Sequence, residues 1–341
     1  MNSSKKTPYL VSLLISTKNR FVDLKECIDS ILAQTVKPDE IILVDASNTC
    51  KSMEMVKKSL AATGIKLTYL RQEVISGKVR KTAAWNKAIR YAVGDIVIFL
   101  DDDVVLDKFY IYYILETYHK NPQNIVGVMG YIKNTRDEKT AQKKVSSLCS
   151  LNRMLRKLFL LPREDGNGFM QPSGFPAYIS SKKGIVPVEV MPTCNMSIKK
   201  KVFHEFTFDE WFHGYSYQED DDFTYRVSRK YKFLYTPFAE LVHKGSATAR
   251  DNIETVEAMK VINHYYFFKK NMPKSLKNYL AFIWSELGLL LLKCISFASY
   301  KSLFLSLTGL AAYRSLPAIK GRLHGYDKII KSVMRKESIG C

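Results

Sequence analysis

The sequence predicts an α/β fold in which a mostly parallel, Rossmann-like central sheet is flanked by helices. In the first half of the chain, short apolar runs alternate with amphipathic stretches, a pattern that is typical of βαβ units. The 341 residues are 46% hydrophobic and 25% charged, which is ordinary for a globular protein with a sizeable core. This length favours two domains, or one large α/β domain with an appendage.

The alternating elements can be followed in order along the chain. After the first apolar run, a stretch that places Leu24, Ile28 and Ile31 on one face predicts a helix. The run that follows the Gly94-Asp95 turn is continuously apolar, as a buried strand is. We predict strands at 9–15, 40–44, 67–71 and 96–101, and helices at 22–34, 52–62 and 81–91.

The alternation loosens between residues 135 and 190. A basic amphipathic stretch at 145–161 is followed by a segment rich in glycine and proline, which favours a long loop. Long irregular segments inside a domain are often functional. Helix and strand signals return from Val202, so we predict an α/β domain at 1–252 and a C-terminal helical, amphipathic and basic region at 253–341.

The net charge of +19 is unusual for a globular chain. The last 73 residues contain thirteen Lys or Arg and three acids, so they hold ten of the nineteen excess charges. Such a balance implies an anionic partner, either nucleic acid or an acidic membrane face. The six cysteines include no CxxC pair, and the N-terminus lacks the apolar segment of a signal peptide. We therefore expect a cytoplasmic protein.

A largely apolar stretch at 281–299 is interrupted by Glu286 and Lys293. A lysine at the middle of a bilayer costs roughly 3 kcal/mol, which the neighbouring leucines hardly offset. Two interpretations stay open. Together with 300–313, the stretch fits helices that lie in a membrane interface, or else helices that pack as ordinary core.

Two acidic clusters stand out against the basic background. The first, Asp101-Asp102-Asp103, follows a buried strand, and its carboxylates repel one another unless a cation lies among them. Asp101 and Asp103 point to the same side of an extended chain, where they can bind a divalent metal. Oxygen ligands suit Mn²⁺ or Mg²⁺. The alternative is a solvated turn capped by aspartates.

The second cluster, Glu219 to Asp222, precedes an amphipathic helix that we expect to begin at Asp222. Asp221 or Asp222 has the position of a helix N-cap. Asp220, with its neighbour Glu219, is predicted as the catalytic general base. His243 ends an apolar run and is a candidate for the metal shell, although a lone histidine is more often structural.

Further polar groups fall at strand ends or helix starts. Thr17, Asn19 and Arg20 follow the first strand, and Asp45 ends the second, so all should meet the acidic triplet at one edge of the sheet. Lys78, Arg80 and Lys81 precede a helix, and basic groups at a helix N-terminus can bind phosphates. A solvated basic loop is an equally good interpretation of those three.

These residues resemble family 2 glycosyltransferases of the GT-A fold. The ordered motifs run through Ser-Thr-Lys-Asn-Arg at 16–20, Val-Asp-Ala-Ser at 44–47, the aspartate triplet, Cys-Asn-Met-Ser at 194–197 and Glu-Asp-Asp-Asp-Phe at 219–223. The resemblance covers roughly 8–250 and implies that 1–252 is a catalytic domain that binds a nucleotide sugar.

The resemblance implies inverting transfer of a sugar, as in a hexosyltransferase, from a nucleotide-diphosphate donor to a glycan hydroxyl. Thr17, Arg20 and Asp45 would hold the nucleoside, Asp101 and Asp103 match the DxD element, and His243 matches a histidine at the metal or diphosphate. The segments 173–175 and 321–325 resemble members that build bacterial surface polysaccharides on polyprenyl-diphosphate-linked acceptors. Ala46 stands where many relatives have a second acid. The predicted site residues are Asp220 and Glu219 (catalytic); Thr17, Asn19, Arg20, Asp45, Lys78, Arg80, Asp101 and Asp102 (nucleotide sugar); Asp103, Asp101 and His243 (metal); Trp211, Tyr215 and Phe175 (acceptor).

The sequence therefore predicts a metal-dependent glycosyltransferase, peripheral on the inner face of the cell membrane, with an anionic membrane surface as a partner and no nucleic acid. A sugar-nucleotide nucleotidyltransferase is the enzymatic alternative, but residues 15–21 lack its glycine-rich phosphate loop. A basic nucleic-acid-binding protein is an alternative from another class, but the sequence lacks an RRM-like or zinc-binding motif. A non-catalytic membrane protein that kept the fold is the third alternative.

Overall fold

The computed structural model describes residues 8–72, 80–121, 124–133, 146–180, 182, 184–212, 216–245, 252–303 and 310–335. The chain divides into two compact units. The first unit comprises residues 1–144, 179–214 and 219–249, and the second comprises 145–178, 215–218 and 250–341. The cut near 250 lies close to the predicted boundary at 252/253. The grouping of 145–178 with the C-terminal helices was not predicted.

The elements are numbered in chain order. The helices are α1 (Phe21–Leu32), α2 (Lys51–Leu60), α3 (Lys81–Tyr91), α4 (Tyr110–Lys120), α5 (Ser146–Leu158), α6 (Glu219–Ser228), α7 (Ile253–Asn271), α8 (Leu276–Leu303) and α9 (Leu310–Arg335). The strands are β1 (Val11–Thr17), β2 (Glu40–Asp45), β3 (Lys66–Arg71), β4 (Ile96–Asp101), β5 (Val104–Leu106), β6 (Ile125–Lys133), β7 (Phe169–Met170), β8 (Pro176–Ala177), β9 (Val186–Val188), β10 (Met196–Lys199) and β11 (Lys232–His243).

Nine of the described strands form the sheet of the first unit, in the order β3-β2-β1-β4-β10-β6-β11-β5, with β9 also paired to β11. The first four strands in the sheet order are parallel, as predicted. Strand β10 then enters antiparallel between β4 and β6, and β5 and β9 pair antiparallel with β11. The prediction of an α/β fold with helices on a central sheet is confirmed.

Each face of the sheet buries its own apolar core, because alternate strand residues point to opposite sides. Leu13 and Ile15 of β1 face the core that contains α1, α2 and α4. Leu14 faces the other core, which contains α3 and α6 and is built around Trp85 and Phe99. Their rings meet edge to face with centroids 5.3 Å apart. Coverage of both faces explains why the strand sequences are almost continuously apolar.

Most predicted boundaries agree with the structure to within a few residues, and α3 has the predicted bounds. The predicted start of α6 at Asp222 is wrong. The helix begins at Glu219, so all four acids of the second cluster lie in its first turn. Negative side chains there are stabilised by the positive end of the helix dipole, which favours the earlier start.

The second unit is built from α5, the short β7–β8 hairpin and the three C-terminal helices. The Phe175 ring stacks on His264 of α7, with ring centroids 3.6 Å apart. At the end of α5, the Phe159 ring lies 4.7 Å from the Trp284 ring of α8, and the Trp284 indole N–H donates to the Leu158 carbonyl. These contacts explain why the segment around 145–178 groups with the C-terminal helices.

A buried ionic network joins the three C-terminal helices. Glu286 of α8 accepts hydrogen bonds from the Arg322 guanidinium, the Tyr326 hydroxyl and His264 Nδ1. Arg322, only 2% exposed, also lies 3.3 Å from a carboxylate oxygen of Glu257. The charge at Glu286 that interrupts the apolar stretch is therefore paired inside the unit.

Helix α8 is long and apolar enough to cross a membrane. Its segment Leu276–Ile295 has a mean hydropathy of 1.4, and about a fifth of it is buried (22%). One such helix is weak evidence for a span, because the core helix of a globular protein has the same length and composition.

Candidate active site

Strand pairing brings the first acidic cluster to the end of the parallel strands. Ser16 of β1 is the register partner of Asp101 at the end of β4, so Thr17 and the aspartate triplet share one edge of the sheet. In open α/β sheets, ligands bind at this carboxyl edge. The three aspartates nevertheless have different surroundings, because Asp101 is partly exposed while Asp102 and Asp103 are buried.

Asp102 faces into the protein. Its carboxylate accepts a hydrogen bond from the Thr17 hydroxyl at 2.8 Å and one from the Arg20 guanidinium at 3.1 Å. Burial raises the pKa of Asp102 to about 6, although Arg20 and Thr17 act in the opposite direction. Asp102 thereby anchors two residues that the sequence assigns to nucleotide binding. Arg20 also approaches Asp103 to 3.6 Å.

His243 reaches the cluster through the register of two antiparallel strands. Strand β11 pairs with β5 so that His243 lies opposite Val104, the residue after the triplet. His243 Nε2 lies 3.1 Å from Asp103 Oδ1 and 3.9 Å from Asp101 Oδ2. Burial lowers the pKa of His243, but its hydrogen bond to Asp103 and the neighbouring groups outweigh burial and raise it to about 11.

Cys194 is a further candidate ligand that the sequence analysis missed. Ligand atoms of Asp101, Cys194 and His243 all lie within 4.8 Å of one another. The short helical turn that carries Cys194 is held by buried Asn195, whose side chain bonds Gly130 on β6 and the Tyr110 hydroxyl. The motif at 194–197 contains this cysteine, but nothing in that motif indicated that its side chain lies beside Asp101 and His243.

The donor set fits a divalent metal of the Mn²⁺ type. Asp101 and Asp103 supply oxygen, and His243 supplies an imidazole nitrogen, all of which Mn²⁺ accepts. The Cys194 thiol fits less well, because a soft sulfur prefers other metals and burial raises the pKa of this group. We therefore take the two aspartates and His243 as the candidate ligands.

Lys81 joins the two acidic clusters. Its ammonium lies 3.3 Å from Asp101 Oδ1, 3.5 Å from Glu219 Oε1 and 3.4 Å from the Thr193 hydroxyl. Burial lowers the pKa of Lys81, but Asp101, Glu219 and Asp220 outweigh it, so the pKa is raised and the side chain is charged. Part of the positive charge that the acidic triplet requires thus comes from the first residue of α3.

Glu219 and Asp220 begin α6 beside this lysine. Asp220 accepts hydrogen bonds from the backbone N–H groups of Asp221 at 2.9 Å and Thr193 at 3.3 Å. Burial raises the pKa of Asp220, while Lys81 and the two N–H groups oppose the rise. Burial and the Asp220 charge raise the pKa of Glu219 to about 8. Asp220 as a whole residue is partly buried, whereas Glu219 is buried.

The residues assigned to the nucleoside lie around the ends of β1 and β2. Asp45 is fully buried, where it accepts from the Ser47 backbone N–H at 2.7 Å and from the Tyr69 hydroxyl at 3.2 Å. Asn19 has the left-handed backbone φ of 55° and accepts from the Asn48 N–H through its side chain. The β1–α1 and β2–α2 loops are thereby tied to each other.

The other predicted site residues are less directly connected to this cluster. Arg80 is exposed and pairs with Glu210 at 3.4 Å. Trp211 is partly buried, and Phe175 is buried in the second unit. Lys78 and Tyr215 lie outside the described residues.

Comparison with known proteins gives a consistent family. The family model of glycosyl transferase family 2 matches residues 12–182, half of the chain. The uncharacterized glycosyltransferase EpsJ of Bacillus subtilis is 30% identical over 148 residues, 43% of this chain and 40% of EpsJ. The uncharacterized glycosyltransferase alr2836 of Nostoc sp. is 28% identical over 122 residues, 36% of each chain. The matches thus span well under half the length of these curated relatives.

Solved structures share the fold at low sequence identity. The mannosyltransferase PcManGT from Pyrobaculum calidifontis, in complex with GDP-Man and Mn²⁺, has a TM-score of 0.55 at 14% identity over 93% of this chain and 87% of that one. GalNAc-T7 with UDP, GalNAc and Mn²⁺ has a TM-score of 0.56 at 12% identity, over 98% of this chain and 59% of that one. Fold, motif order and family match agree: the chain belongs to glycosyl transferase family 2 and has the GT-A fold.

Proposed function

We propose that this protein transfers a sugar from a nucleotide-diphosphate donor to a hydroxyl of a glycan acceptor, with inversion at the anomeric carbon. The observation that carries the proposal is the Lys81 bridge, which connects the candidate metal ligand Asp101 to the first turn of α6, where the candidate base lies. The carboxylates proposed for the donor side and for the acceptor side both lie in the first unit, which supports a single site.

The donor side is formed by the edge of the sheet. Asp101, Asp103 and His243 would hold Mn²⁺ or Mg²⁺, which neutralises charge developing on the diphosphate leaving group. Thr17, Asn19, Arg20 and Asp45 line the two loops where the nucleoside is proposed to bind. The mannosyltransferase and GalNAc-T7 were solved with a nucleotide or nucleotide sugar and Mn²⁺, which supports this donor class.

The acceptor side is formed by the start of α6. Asp220 takes the proton of the acceptor hydroxyl, whose oxygen forms the new bond to the anomeric carbon while the bond to the diphosphate breaks. A carboxylate whose pKa burial raises is a better base than an exposed one, because its affinity for the proton is higher. The positive charge of Lys81 reduces the repulsion between the neighbouring carboxylates. Positioning of the substrates and stabilisation of charge in the transition state lower the rest of the activation barrier.

We further propose that the acceptor is a polyprenyl-diphosphate-linked glycan of polysaccharide biosynthesis, reached from the cytoplasmic face of an anionic membrane. The motif resemblance at 173–175 and 321–325 supports the acceptor class, and the ten excess positive charges from Lys269 onward support the membrane. Trp211, Tyr215 and Phe175 remain proposed acceptor-side residues.

A donor panel tests the proposal. Purified protein is incubated with UDP-, GDP- and dTDP-sugars and Mn²⁺ or Mg²⁺, with lipid extract or a synthetic polyprenyl-diphosphate sugar as acceptor, and nucleoside diphosphate release is measured. We expect release from one donor class, and a loss of about 10²-fold or more in Asp220→Asn. Release of pyrophosphate from a nucleoside triphosphate and a sugar phosphate would instead identify a nucleotidyltransferase. Unchanged turnover in Asp220→Asn would remove Asp220 as the base.

A further inference from the structure

One face of α8 is exposed and apolar between residues 280 and 295. Every exposed position between residues 280 and 295 carries an uncharged side chain, and the large ones are 44–58% exposed. They recur every three or four residues, which places them in one stripe along the helix. The stripe consists of Leu280, Ile283, Trp284, Leu287, Leu291, Cys294 and Ile295.

The two charges of this helix lie off the stripe. Glu286 is buried against Arg322 and His264, and the Lys293 ammonium lies 3.3 Å from a carboxylate oxygen of Glu257 on α7. The exposed face of α8 can therefore enter a membrane without carrying Glu286 or Lys293 into it. The same pairing fixes α8 to α7 and α9, so the helix cannot rotate its charged side outward without breaking the network.

Helix α5 extends the stripe sideways. Its C-terminal end packs closely on α8, because Phe159 fills the space beside Gly288, where a Cβ would lie 2.3 Å from the ring. Leu151, Met154 and Leu158 of α5 are about half exposed, at 47–57%. We call these three residues and the stripe on α8 the α5–α8 face. Exposed apolar surface of this extent on adjacent helices marks a binding site.

Basic residues border the α5–α8 face. On α5, the side chains of Arg153 and Lys157 are 69% and 54% exposed, and both lie within 4 Å of Asp165. Because Arg163 also pairs with Asp165, this single carboxylate serves three cations. Lys274, just before α8, and Lys277, in its first turn, are also exposed. Apolar surface bordered by cations is the pattern of helices that lie on anionic membranes.

We propose that the α5–α8 face is the membrane-binding surface of this protein and that α8 lies in the interface of an anionic bilayer instead of crossing it. An interfacial helix needs one apolar face, which α8 has. A crossing helix would carry Glu286 and its partners Arg322 and His264 into hydrocarbon, where ionic groups are costly. This inference refines the membrane contact of the proposed function and rests on it only for the lipid-linked acceptor.

The exposed Cys294 allows a direct test. A single-label protein is made by replacing Cys50, Cys149 and Cys341 with Ser and attaching an environment-sensitive fluorophore to Cys294, while buried Cys27 and Cys194 are kept. Anionic phosphatidylglycerol vesicles should shift its emission to the blue, and neutral phosphatidylcholine vesicles much less. A matched protein labelled at exposed Cys50 of the first unit should show no shift. Equal spectra at Cys294 with and without anionic vesicles would overturn the proposal.

Substitutions test the face itself by vesicle flotation. Ile283→Glu together with Leu287→Glu should lower binding to anionic vesicles at least tenfold, whereas Val93→Glu, at a similarly exposed apolar residue of the first unit, should change it less than twofold. Binding unchanged in the double variant would refute the assignment, as would a stable dimer of the wild type that the double variant dissociates. Resistance to extraction at pH 11 would refute the interfacial mode. Nucleotide release with a water-soluble acceptor should persist in the double variant. Failure of the membrane proposal can therefore be distinguished from failure of the proposed function.

Discussion

Replacing Arg322 by Met should destabilise the helices of the second unit by about 3 kcal/mol at pH 7. Arg322 is almost fully buried between Glu286 and Glu257 and contacts both carboxylates. Methionine matches much of the arginine stem in length but supplies no charge. The variant therefore leaves two buried carboxylates without their shared cation, which is the costly way to break a buried pair.

The magnitude follows from the state of Glu286. Burial raises the pKa of this carboxyl, but Arg322, His264 and Tyr326 outweigh burial and hold it at about 2, against an ordinary value of 4.5. A carboxyl whose pKa falls by this much on folding contributes roughly 3 kcal/mol of stability above pH 4.5. That contribution is lost as the pH falls from 4.5 through 2. Arg322 is the largest of the groups that lower the pKa of Glu286, so without it the effect of burial prevails more and the pKa rises in the variant.

Urea unfolding, followed by helical circular dichroism at pH 7 and pH 4.5, measures both effects. We expect the deficit of Arg322→Met to shrink at pH 4.5, because protonation removes the unpaired charge only in the variant. Lys331→Met on the same helix is the control. Lys331 is exposed and, among the described residues, forms an ion pair with Asp327 one turn away, so its loss should cost less than about 0.5 kcal/mol. Adding Glu286→Gln to Arg322→Met should recover part of the loss. A deficit below about 1 kcal/mol, or one independent of pH, would refute the reasoning.

Three further predictions concern the first unit. Asp220→Asn should lower kcat by about 10²–10⁴ with little change in the unfolding midpoint, measured side by side by turnover and thermal denaturation; a large loss of stability would point to a structural role. Lys81→Met should lower both kcat and stability, the latter by about 1–3 kcal/mol, because Asp101 and Glu219 lose their shared cation; an unchanged midpoint in urea would contradict this. Asn195→Ala should cost about 2–4 kcal/mol, since it leaves the Gly130 backbone and the Tyr110 hydroxyl without their bonds to this side chain; a cost below about 1 kcal/mol in urea unfolding would be inconsistent with the role assigned.

The fold was accessible from the sequence because its signals are local. Each parallel strand is a short apolar run bounded by turn residues, and α3 shows its helical periodicity within eleven residues. The start of α6 was misplaced because four consecutive acids fit both a loop and a first helical turn. The longer helix places all four acids at the positive end of the helix dipole, where negative side chains are stabilised.

The site was accessible only in part. The DxD pattern and the acids at 219–222 are contiguous in sequence, so they were noticed. The approach of His243 to Asp103 depends on the register of β11 against β5, and that of Cys194 depends on β10 entering beside β4. Lys81 was noted only as one of three basic residues, since its two carboxylate partners lie 20 and 138 positions away along the chain.

The charges of the C-terminal region illustrate the same limit. Sequence hydropathy counts Glu286 and Lys293 against a membrane helix without knowing which face carries them. The structure pairs both charges with other helices and leaves the apolar residues outside. One face of α8 packs on the other helices as core, and the other face is apolar and exposed, so the sequence could not separate the two interpretations.

The metal dependence of sugar transfer tests whether Asp101, Asp103 and His243 hold a catalytic metal ion. With the donor identified, transfer is measured for the wild type and Asp103→Asn over a series of Mn²⁺ concentrations that begins in chelator. We expect chelator to abolish transfer by the wild type, Mn²⁺ to restore it, and Asp103→Asn to require at least tenfold more Mn²⁺. Full wild-type transfer in chelator would contradict the role given to Asp101, Asp103 and His243.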